Sequence, residues 1–402
     1  MTGNFFAEWI ELALRWTHLT VGIAWIGASF YFNWLENRLE RDRAEAAGIE
    51  GDLWAIHGGG FYHVQKYAVA PEHLPPQLHW FKWEAYFTWF TGLALLAWIF
   101  YLDASLFLLD PTLNDLSPIQ GTVIGVLTLV GSWVVYDGMC RSFLRDRPRW
   151  LGALIFIWFA VLAFVLCQLF SGRGAYIHVG AAIGTVMVLN VMVVIIPSQK
   201  SLVNAMKTAA ERDAALGQAA LTRSRHNNYL TLPVLFMMIA SHYPSTFGSS
   251  WNWLILIALG VVGILIRHFF NIRHLAGMKW WLPASACALF ILIAALSIPK
   301  SMQNPNELKS VTMDTIRGII HERCTVCHSA TPVQPGFAAA PGGVVLDSDS
   351  QIETMAARIY SSAVATRSMP IGNVSAISEE ERQMIAAWYT QTIRSGQSQP
   401  SQ

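Results

Sequence analysis

The sequence Cys324-Thr325-Val326-Cys327-His328 decides how the C-terminal part of the chain folds. Two cysteines three positions apart, followed at once by a histidine, have the spacing of covalent c-type haem attachment. Both thiols lie on one helical turn and can bond to one edge of a haem, while the imidazole of His328 reaches the iron. A zinc site or a redox pair of cysteines is the alternative, but zinc needs four ligands and only His321 lies nearby.

Met369 is the expected second axial ligand, because it precedes a proline in a loop-like stretch downstream of the motif. A methionine sulfur in this position raises the reduction potential of the haem. Pro332 or Pro335 can offer a carbonyl oxygen to the far ring nitrogen of His328 and so fix the ring, or both prolines only stiffen the loop. We therefore predict that residues 301–402 form a small class I-like cytochrome c domain with a covalent haem c.

The remainder of the chain is predicted to lie in a membrane. Of the 402 residues, 53% are apolar and only 13% are charged, whereas soluble domains carry about 25% charged residues. A spanning helix needs about 20 predominantly apolar residues. Eight runs qualify, some marginally: 8–35, 85–102, 119–136, 150–170, 175–197, 229–243, 251–266 and 280–298. We predict an all-α fold in which residues 1–300 form an eight-helix transmembrane bundle, with the first run retained as a helix and not cleaved as a signal peptide.

Charge in the loops orients this bundle. Seventeen lysines and arginines lie in the loops after the first, third, fifth and seventh runs, and Arg173 alone lies in the other three loops. Basic loops face the cytoplasm. Both ends of the bundle, and the cytochrome c domain with them, are therefore predicted on the periplasmic side of the bacterial inner membrane. The net charge of +1 gives no argument for a nucleic-acid partner.

Ionisable residues inside membrane helices are costly and usually functional. His18 lies within the first run, His178 just inside the fifth and His242 at the end of the sixth. Two of these three histidines are candidates to ligate a second, non-covalent b-type haem through their imidazole nitrogens. The alternative is structural, with His18 bonded to a facing carbonyl and with interfacial roles for His178 and His242.

Three further stretches carry a family resemblance. They are Leu78-His79-Trp80-Phe81-Lys82-Trp83-Glu84-Ala85-Tyr86, then Gly184-Thr185-Val186-Met187-Val188-Leu189-Asn190-Val191 with Ile195-Ile196-Pro197, and Arg225-His226-Asn227-Asn228-Tyr229-Leu230-Thr231-Leu232-Pro233-Val234-Leu235 with His242-Tyr243-Pro244. Together they resemble the bacterial integral-membrane urate oxidase family, whose members carry a C-terminal cytochrome c. The resemblance covers essentially the whole chain, and the Arg-His-Asn-Asn-Tyr block is its most distinctive part.

The resemblance implies oxidation of urate to 5-hydroxyisourate by a cytochrome c-linked oxidoreductase. Electrons would pass to the haem c and on to a respiratory acceptor, either a terminal oxidase or a soluble cytochrome c. Hydrogen peroxide would then not be an obligatory product. The partners that follow are urate, this acceptor and the lipid bilayer.

Urate is a planar anion at neutral pH, so its site needs cations, amide donors and a base that accepts protons as electrons leave. The candidates near the predicted inner surface are His226 or His79 as the base, Lys82, Arg223 and Arg225 for charge, Asn227 and Asn228 for the oxo and N–H edges, and Glu84 to orient a histidine. The alternatives are positive-inside charge for the arginines, a helix N-cap for Asn228, and a substrate site on the outer side near His178 and His242.

Rival functions remain at this point. An inner substrate site would lie a membrane's width from an outer haem c, which calls for an outer site or for a bridging haem. A quinol-oxidising membrane cytochrome that feeds its own haem c is the main alternative function. A haem–copper oxidase subunit would need a His-His pair, which the sequence lacks, and a mere anchor for an electron carrier would need only one helix.

Overall fold

The structure is a computed structural model, and it describes residues 2–41, 48–68, 71, 74–208, 210, 213–273, 277–298 and 311–397. The described chain is mostly helical, which confirms the main feature of the predicted fold class. The predicted boundary between the two parts of the chain, at residues 300 and 301, lies outside the described residues.

Each of the eight predicted apolar runs overlaps a helix of the N-terminal part. The helices are α1 Thr2–Arg38, α2 Trp83–Leu96 with a π-helical turn Ala97–Tyr101, α3 Ala104–Phe107, α4 Pro118–Arg141, α5 Pro148–Leu169, α6 Gly172–Leu189 with a π-helical turn Asn190–Ile195, α7 Ile196–Lys207, α8 Ala214–Ala240, α9 Pro244–Phe247, α10 Asn252–Ile272 and α11 Trp281–Leu296. A short 3₁₀ turn, Phe143–Asp146, links α4 to α5.

Among the described residues, four helical segments are long and apolar enough to cross a membrane. They are Pro118–Arg141, Pro148–Leu169, Gly172–Lys207 and Asn252–Ile272, and α11 is a shorter apolar helix of 16 residues. A spanning helix needs about 20 apolar residues, so these four segments are consistent with membrane association. The complete eight-helix bundle stays a prediction.

A two-stranded antiparallel β-hairpin follows α1, and the prediction of an all-α fold is wrong for this segment. Strand β1 (Ile49–His57) pairs with strand β2 (Gly60–Tyr67). Gly58 and Gly59 join them with φ of +59° and +79°, and two consecutive positive φ angles make the type I′ turn that closes two-residue hairpins. The Gly-Gly pair between two aromatic-rich stretches was the available sequence signal.

Helix α6 is the centre of the N-terminal part. Ser171 caps its first turn by accepting a hydrogen bond from the amide of Gly174 at 3.0 Å, and most of the side chains of α6 are buried. Helices α4, α5 and α8 pack around it. A Cβ on Gly180 would lie only 2.9 Å from the Cβ of Met237 on α8, so the glycine permits the close helix contact that small residues give inside membranes.

The C-terminal part is a small helical domain. Its helices are α12 Met313–Arg323, α13 Asp349–Thr354, α14 Ala356–Ile359 with a π-helical turn Tyr360–Ala365, and α15 Glu379–Gln397, and its 3₁₀ turns are Pro341–Gly343 and Ile371–Asn373. Ile316, Ile320, Ile352 and Ile385 form the buried core. This core is separate from that of the N-terminal helices, as expected for a domain of its own.

The C-terminal domain contacts the N-terminal part at one end of the helices. Nδ2 of Asn373 donates to Oγ1 of Thr112 at 3.3 Å, and Thr112 lies shortly before the first residue of α4. The loop that carries Arg141, Arg145, Arg147 and Arg149, which we call the arginine-rich loop, begins at the last residue of this 24-residue helix. The helix is about 36 Å long at 1.5 Å per residue. The domain therefore lies at the end of the helices opposite the arginine-rich loop.

Candidate functional site

The Arg-His-Asn-Asn block lies inside α8, and its side chains point in different directions. Successive residues of an α-helix are about 100° apart. His226 accordingly contacts α4, Asn227 contacts the π-helical turn after α6, and Asn228 contacts α10. The structure therefore does not bring these three side chains together around one ligand.

His226 belongs to a buried hydrogen-bond network. Its Nδ1 lies 2.8 Å from the hydroxyl of Tyr136, so Nε2 is the ring nitrogen left for a ligand. Asn190 donates from Nδ2 to the Tyr136 hydroxyl at 2.9 Å and to Oδ1 of Asn227 at 2.8 Å. Arg223 donates to Oδ1 of Asn190 at 3.1 Å. Because a guanidinium only donates, this last contact fixes the orientation of the Asn190 amide.

The π-helical turn explains the position of Asn190. It is the first residue of the turn Asn190–Ile195, which joins α6 to α7. A π turn adds one residue to a helical turn and is frequent at functional sites. The side chain of Asn190 is fully buried and contacts residues of both α4 and α8, so it links the two helices beside His226.

Asp137 balances the buried charge of Arg223. Nη2 of Arg223 lies 2.6 Å from Oδ1 of Asp137, and the Arg223 side chain is only 5% exposed. Asp137 also pairs with the more exposed Arg141 at 2.6 Å. Since an unpaired buried charge is strongly destabilising, Asp137 is the residue that allows Arg223 to lie beneath the surface.

Replacing Asp137 by alanine is expected to destabilise the protein by about 3–5 kcal/mol, because it leaves the buried Arg223 charge unpaired. Thermal unfolding in detergent measures the effect. Arg41→Ala is the control, since it removes half-exposed ion pairs with Glu36 and Glu50 and is expected to change stability by about 1 kcal/mol at most. Equal unfolding temperatures for the two variants would contradict this account of the network.

A cavity of about 1430 Å³ opens beside the network. Its polar lining consists mainly of Arg141, Arg145, Asp146, Arg223, Arg225 and His226, and its apolar lining includes Phe159, Ala163, Val179, Ile183 and Leu256. Four arginines line this end against Asp146, and Asp137 pairs with two of them from behind the lining. The polar end therefore stays net positive, which attracts an anion. The volume exceeds the roughly 300–1,000 Å³ of ordinary ligand pockets, so a small ligand occupies only part of the cavity.

Asn228 takes part in a second network, between α8, α10 and α1. Its Oδ1 accepts hydrogen bonds from Arg267 at 2.9 Å and from Asn271 at 2.8 Å, and Asn33 donates to Asn271 at 2.8 Å. The Arg267 guanidinium lies 4.1 Å from the ring centroid of Phe30, a cation–π contact. The N-cap interpretation of Asn228 is wrong, because the residue lies inside a helix that begins well before it.

His79, Lys82 and Glu84 lie at the start of α2 and do not join His226. His79 packs edge-on against Phe81 with 4.5 Å between ring centroids, and Nζ of Lys82 lies 5.1 Å from the ring centroid of Trp83. Glu84 is in the first turn of α2. None of the three is among the described residues that line the cavity.

The three histidines considered for a second haem contact different neighbours. His178 is fully buried, with Nδ1 2.8 Å from a backbone carbonyl oxygen and Nε2 3.2 Å from the hydroxyl of Tyr101. Nδ1 of His18 lies 3.0 Å from the hydroxyl of Thr91, and His242 is exposed. Within the described ranges the three side chains make no contact with one another, so a b-type haem stays a prediction.

Cys324, Cys327 and His328 form one turn directly after α12. The amides of Cys327 and His328 donate to the carbonyl oxygen of Cys324 at 3.1 and 2.8 Å, and both thiols are unpaired. Burial raises the pKa of the Cys324 thiol to about 12, whereas reactive Cys-x-x-Cys pairs have lowered pKa values. The described residues contain no group of three His, Cys, Asp or Glu that could hold a metal ion, so zinc lacks ligands here.

The backbone around this turn leaves one imidazole nitrogen for an iron. Nδ1 of His328 lies 3.1 Å from the carbonyl oxygen of Val344, which fixes the ring and leaves Nε2 free to ligate. Of the two alternatives for Pro332 and Pro335, the one in which a proline carbonyl fixes the ring is wrong, because Val344 supplies the carbonyl that Nδ1 contacts. Two thiols and a free imidazole nitrogen on one turn fit a covalently attached haem.

Met369 lies in residues 366–373, a segment that we call the methionine loop. Its amide donates to the carbonyl oxygen of Ser362 at 3.1 Å, and its carbonyl oxygen accepts from Arg382 at 3.0 Å. Burial, together with the nearby charge of Arg367, lowers the pKa of Arg382 to about 10. Arg382 is therefore still protonated at neutral pH and holds the loop as a charged donor.

Sequence reasoning missed Tyr136 and Asn190 as functional candidates. Both lie in the predicted apolar runs, and a polar residue inside such a run is a usable signal. What the sequence does not reveal is that the face of α4 carrying Tyr136 meets the face of α8 carrying His226. Helix packing decides that contact.

Comparison with known families matches residues 4–298 to the family described as urate oxidase N-terminal. No curated protein and no solved structure matches the chain. The matched residues include the buried network, the arginine-lined cavity and all three histidines considered for a second haem. The Cys-x-x-Cys-His turn and the methionine loop lie beyond the match.

Proposed function

The chain belongs to the urate oxidase N-terminal family, and we propose that it is a membrane-bound oxidoreductase that converts urate to 5-hydroxyisourate. One urate monoanion and one water give one neutral 5-hydroxyisourate, one proton and two electrons. A haem c held by the C-terminal domain would accept these electrons one at a time, and a terminal oxidase or a soluble cytochrome c would receive them. Hydrogen peroxide is then not an obligatory product.

The observation that carries this proposal is the meeting of His226, Arg223 and Arg225 on one cavity in a chain of this family. Urate is a planar anion at neutral pH, and the positive end of the cavity attracts it. A molecule of this size fills a small part of the 1430 Å³. We therefore assign it to the arginine end, next to the contact between His226 and Tyr136.

Within this site His226 acts as the base. Its Nε2 accepts a proton from urate or water as electrons leave, while Nδ1 donates to the Tyr136 hydroxyl oxygen and holds the ring. Arg225 and Arg223 supply positive charge. Asn227 acts indirectly, because its Oδ1 accepts a hydrogen bond from Asn190 and so holds that side chain. Asn228, His79, Lys82 and Glu84 lie away from the cavity lining, and their substrate roles stay predictions.

Cys324 and Cys327 would hold a haem c by thioether bonds, and His328 and Met369 would ligate its iron. The bound group would supply a one-electron acceptor in the C-terminal domain. Val344 supports this role because its carbonyl oxygen orients the ring of His328. Arg382 supports it because the backbone of Met369 is one of its acceptors.

We place the arginine end of the cavity on the cytoplasmic side of the inner membrane and the cytochrome domain on the periplasmic side. The loop bias in basic residues supports this orientation, and so does the contact of the domain with the opposite end of α4. The urate site and the C-terminal domain lie near opposite ends of α4, which are about 36 Å apart. This separation is too great for a single fast electron transfer. A b-type haem on two of His18, His178 and His242 is the predicted bridge.

Anaerobic addition of urate to the purified, oxidised protein tests the proposal. Urate is expected to convert the absorption bands of the haem c to those of the reduced form, at two haems reduced per urate oxidised, and xanthine is expected to have no effect. Reduction by a quinol but not by urate would overturn the proposal in favour of a quinol-oxidising cytochrome. The apolar part of the cavity, with Phe159 and Leu256 in its lining, suits a quinol ring and tail.

A further inference from the structure

The methionine loop lies directly on the end of the N-terminal helices. The turn Ile371–Asn373 packs on α3. A Cβ added to Gly372 would collide with the carbonyl oxygen of Leu106 and would lie 3.1 Å from that of Leu109. From the other side, a Cβ added to Gly248 would collide with the carbonyl oxygen of Thr366. Glycine is therefore required on both sides of a contact between two backbones.

The conformation of Gly372 adds a second requirement. Its φ is +58°, a region that residues with a side chain rarely adopt. Asn373 follows with φ of +51°, and asparagine is among the few other residues that tolerate this region. Because Gly372 and Asn373 both have a positive φ, the chain turns here and the methionine loop contacts residues 104–112.

Arg382 holds the loop from within the C-terminal domain. It is 7% exposed, and it donates to the carbonyl oxygens of Ala363 and Met369 and to Oδ1 of Asn373. Because Oδ1 of Asn373 accepts from Arg382, Nδ2 is the atom that faces the hydroxyl of Thr112, at 3.3 Å. One guanidinium thus fixes the backbone of Met369 and the side chain that crosses to the other domain.

Thr112 is itself held in place. Its hydroxyl donates to Oδ1 of Asp110 at 2.6 Å, and its amide donates to the same oxygen at 2.9 Å. A continuous chain of hydrogen bonds therefore runs from Arg382 through Asn373 and Thr112 to Asp110. This chain connects the loop of the proposed haem ligand Met369 to the turn at Asp110 and Thr112 in the N-terminal part.

Aromatic side chains lie beneath this contact. Phe107 follows Leu106 in α3, and its ring centroid lies 6.3 Å from that of Phe100. Phe100 in turn lies 6.2 Å from His178, measured between ring centroids. The segment under the methionine loop is thus joined by packed rings to the buried histidine of α6.

We propose that electrons enter the cytochrome domain through the methionine loop, and that Asn373, Thr112, Gly372 and Gly248 are positioning residues that hold this loop on the membrane domain. The inference rests on the proposed function, since it takes urate as the electron source. On this proposal the methionine loop is covered by the N-terminal part of the same chain. A downstream electron acceptor then binds another surface of the C-terminal domain.

Gly248→Ala is the sharpest variant, because the residue lies in the membrane domain and its substitution leaves every residue of the cytochrome domain unchanged. Stopped-flow mixing with urate is expected to reduce the haem c about tenfold more slowly, as a small misplacement suffices for such a loss. Reduction by ascorbate, which needs no docking, is expected to keep its rate, and the reduction potential is expected to stay unchanged. Wild-type rates with urate would overturn the proposal.

A second measurement does not depend on urate. Hydrogen exchange of the amides in residues 104–112 is expected to rise about tenfold in Gly372→Ala, because undocking exposes them. Gly336→Ala is the matched control, since Gly336 also has a positive φ, +92°, but an added Cβ meets nothing within 4 Å. Equal exchange in the two variants would overturn the docking role. A wild-type protein that urate cannot reduce, but whose exchange follows this pattern, would overturn the proposed function alone.

Discussion

Replacing His226 by glutamine is expected to lower the rate of urate-dependent haem reduction about 100-fold or more, the loss typical of a missing general base. Glutamine keeps a similar length and a polar end but cannot accept a proton at neutral pH. Binding is expected to change less than turnover, because the arginines that attract the anion remain. Steady-state kinetics with urate and a soluble electron acceptor separate kcat from KM.

Two further variants make this prediction specific. Tyr136→Phe removes the hydroxyl that holds Nδ1 of His226 at 2.8 Å, and losing such a support is expected to reduce turnover about tenfold. His63→Gln is the matched control, since His63 contacts Asp52 in the β-hairpin and is expected to be neutral. If His226→Gln turned over urate at a near-normal rate with its haem intact, the site would have to be sought elsewhere, near His178 and His242.

Replacing both Cys324 and Cys327 by alanine is expected to abolish covalent haem attachment completely, because the two thiols are the only groups proposed to form thioether bonds. A haem stain of the protein after denaturing electrophoresis measures this directly. Urate should then fail to transfer electrons to the C-terminal domain. The N-terminal helices are expected to stay folded, since their core is separate from that of the C-terminal domain.

Cys287→Ala is the control for this experiment. Cys287 is an exposed, unpaired cysteine of α11, far in sequence from the Cys-x-x-Cys-His turn, and its removal is expected to leave the covalent haem in place. Haem that stays bound to the double variant through denaturation would refute the assignment of the two cysteines. Loss of haem in the control variant would point to a general failure of maturation.

The local patterns of the chain were sufficient to predict that it is mostly helical. Apolar runs of about 20 residues become helices regardless of their neighbours, because a backbone without water must satisfy its own hydrogen bonds. The Cys-x-x-Cys-His spacing likewise depends on one turn only, and the structure has both thiols and a free imidazole nitrogen on that turn. The hairpin between Ile49 and Tyr67 was missed, although its Gly-Gly turn was a local signal as well.

The arrangement of the site was beyond sequence reasoning. The block from Arg225 to Asn228 reads as one cluster in the sequence, but the rotation of about 100° per residue sends its side chains to three different helices. Which residues they meet depends on packing between helices that are distant along the chain. Tyr136 and Asn190 became partners of His226 and Asn227 only in this way.

The helices and the Cys-x-x-Cys-His turn were predictable from local patterns, because they depend on contacts within a few residues. Packing between distant segments settles which polar side chains share the cavity, that Val344 orients His328, and that the methionine loop lies on residues 104–112. Close contacts such as that between Gly372 and Leu106 join residues far apart in the chain, and no local spacing encodes them.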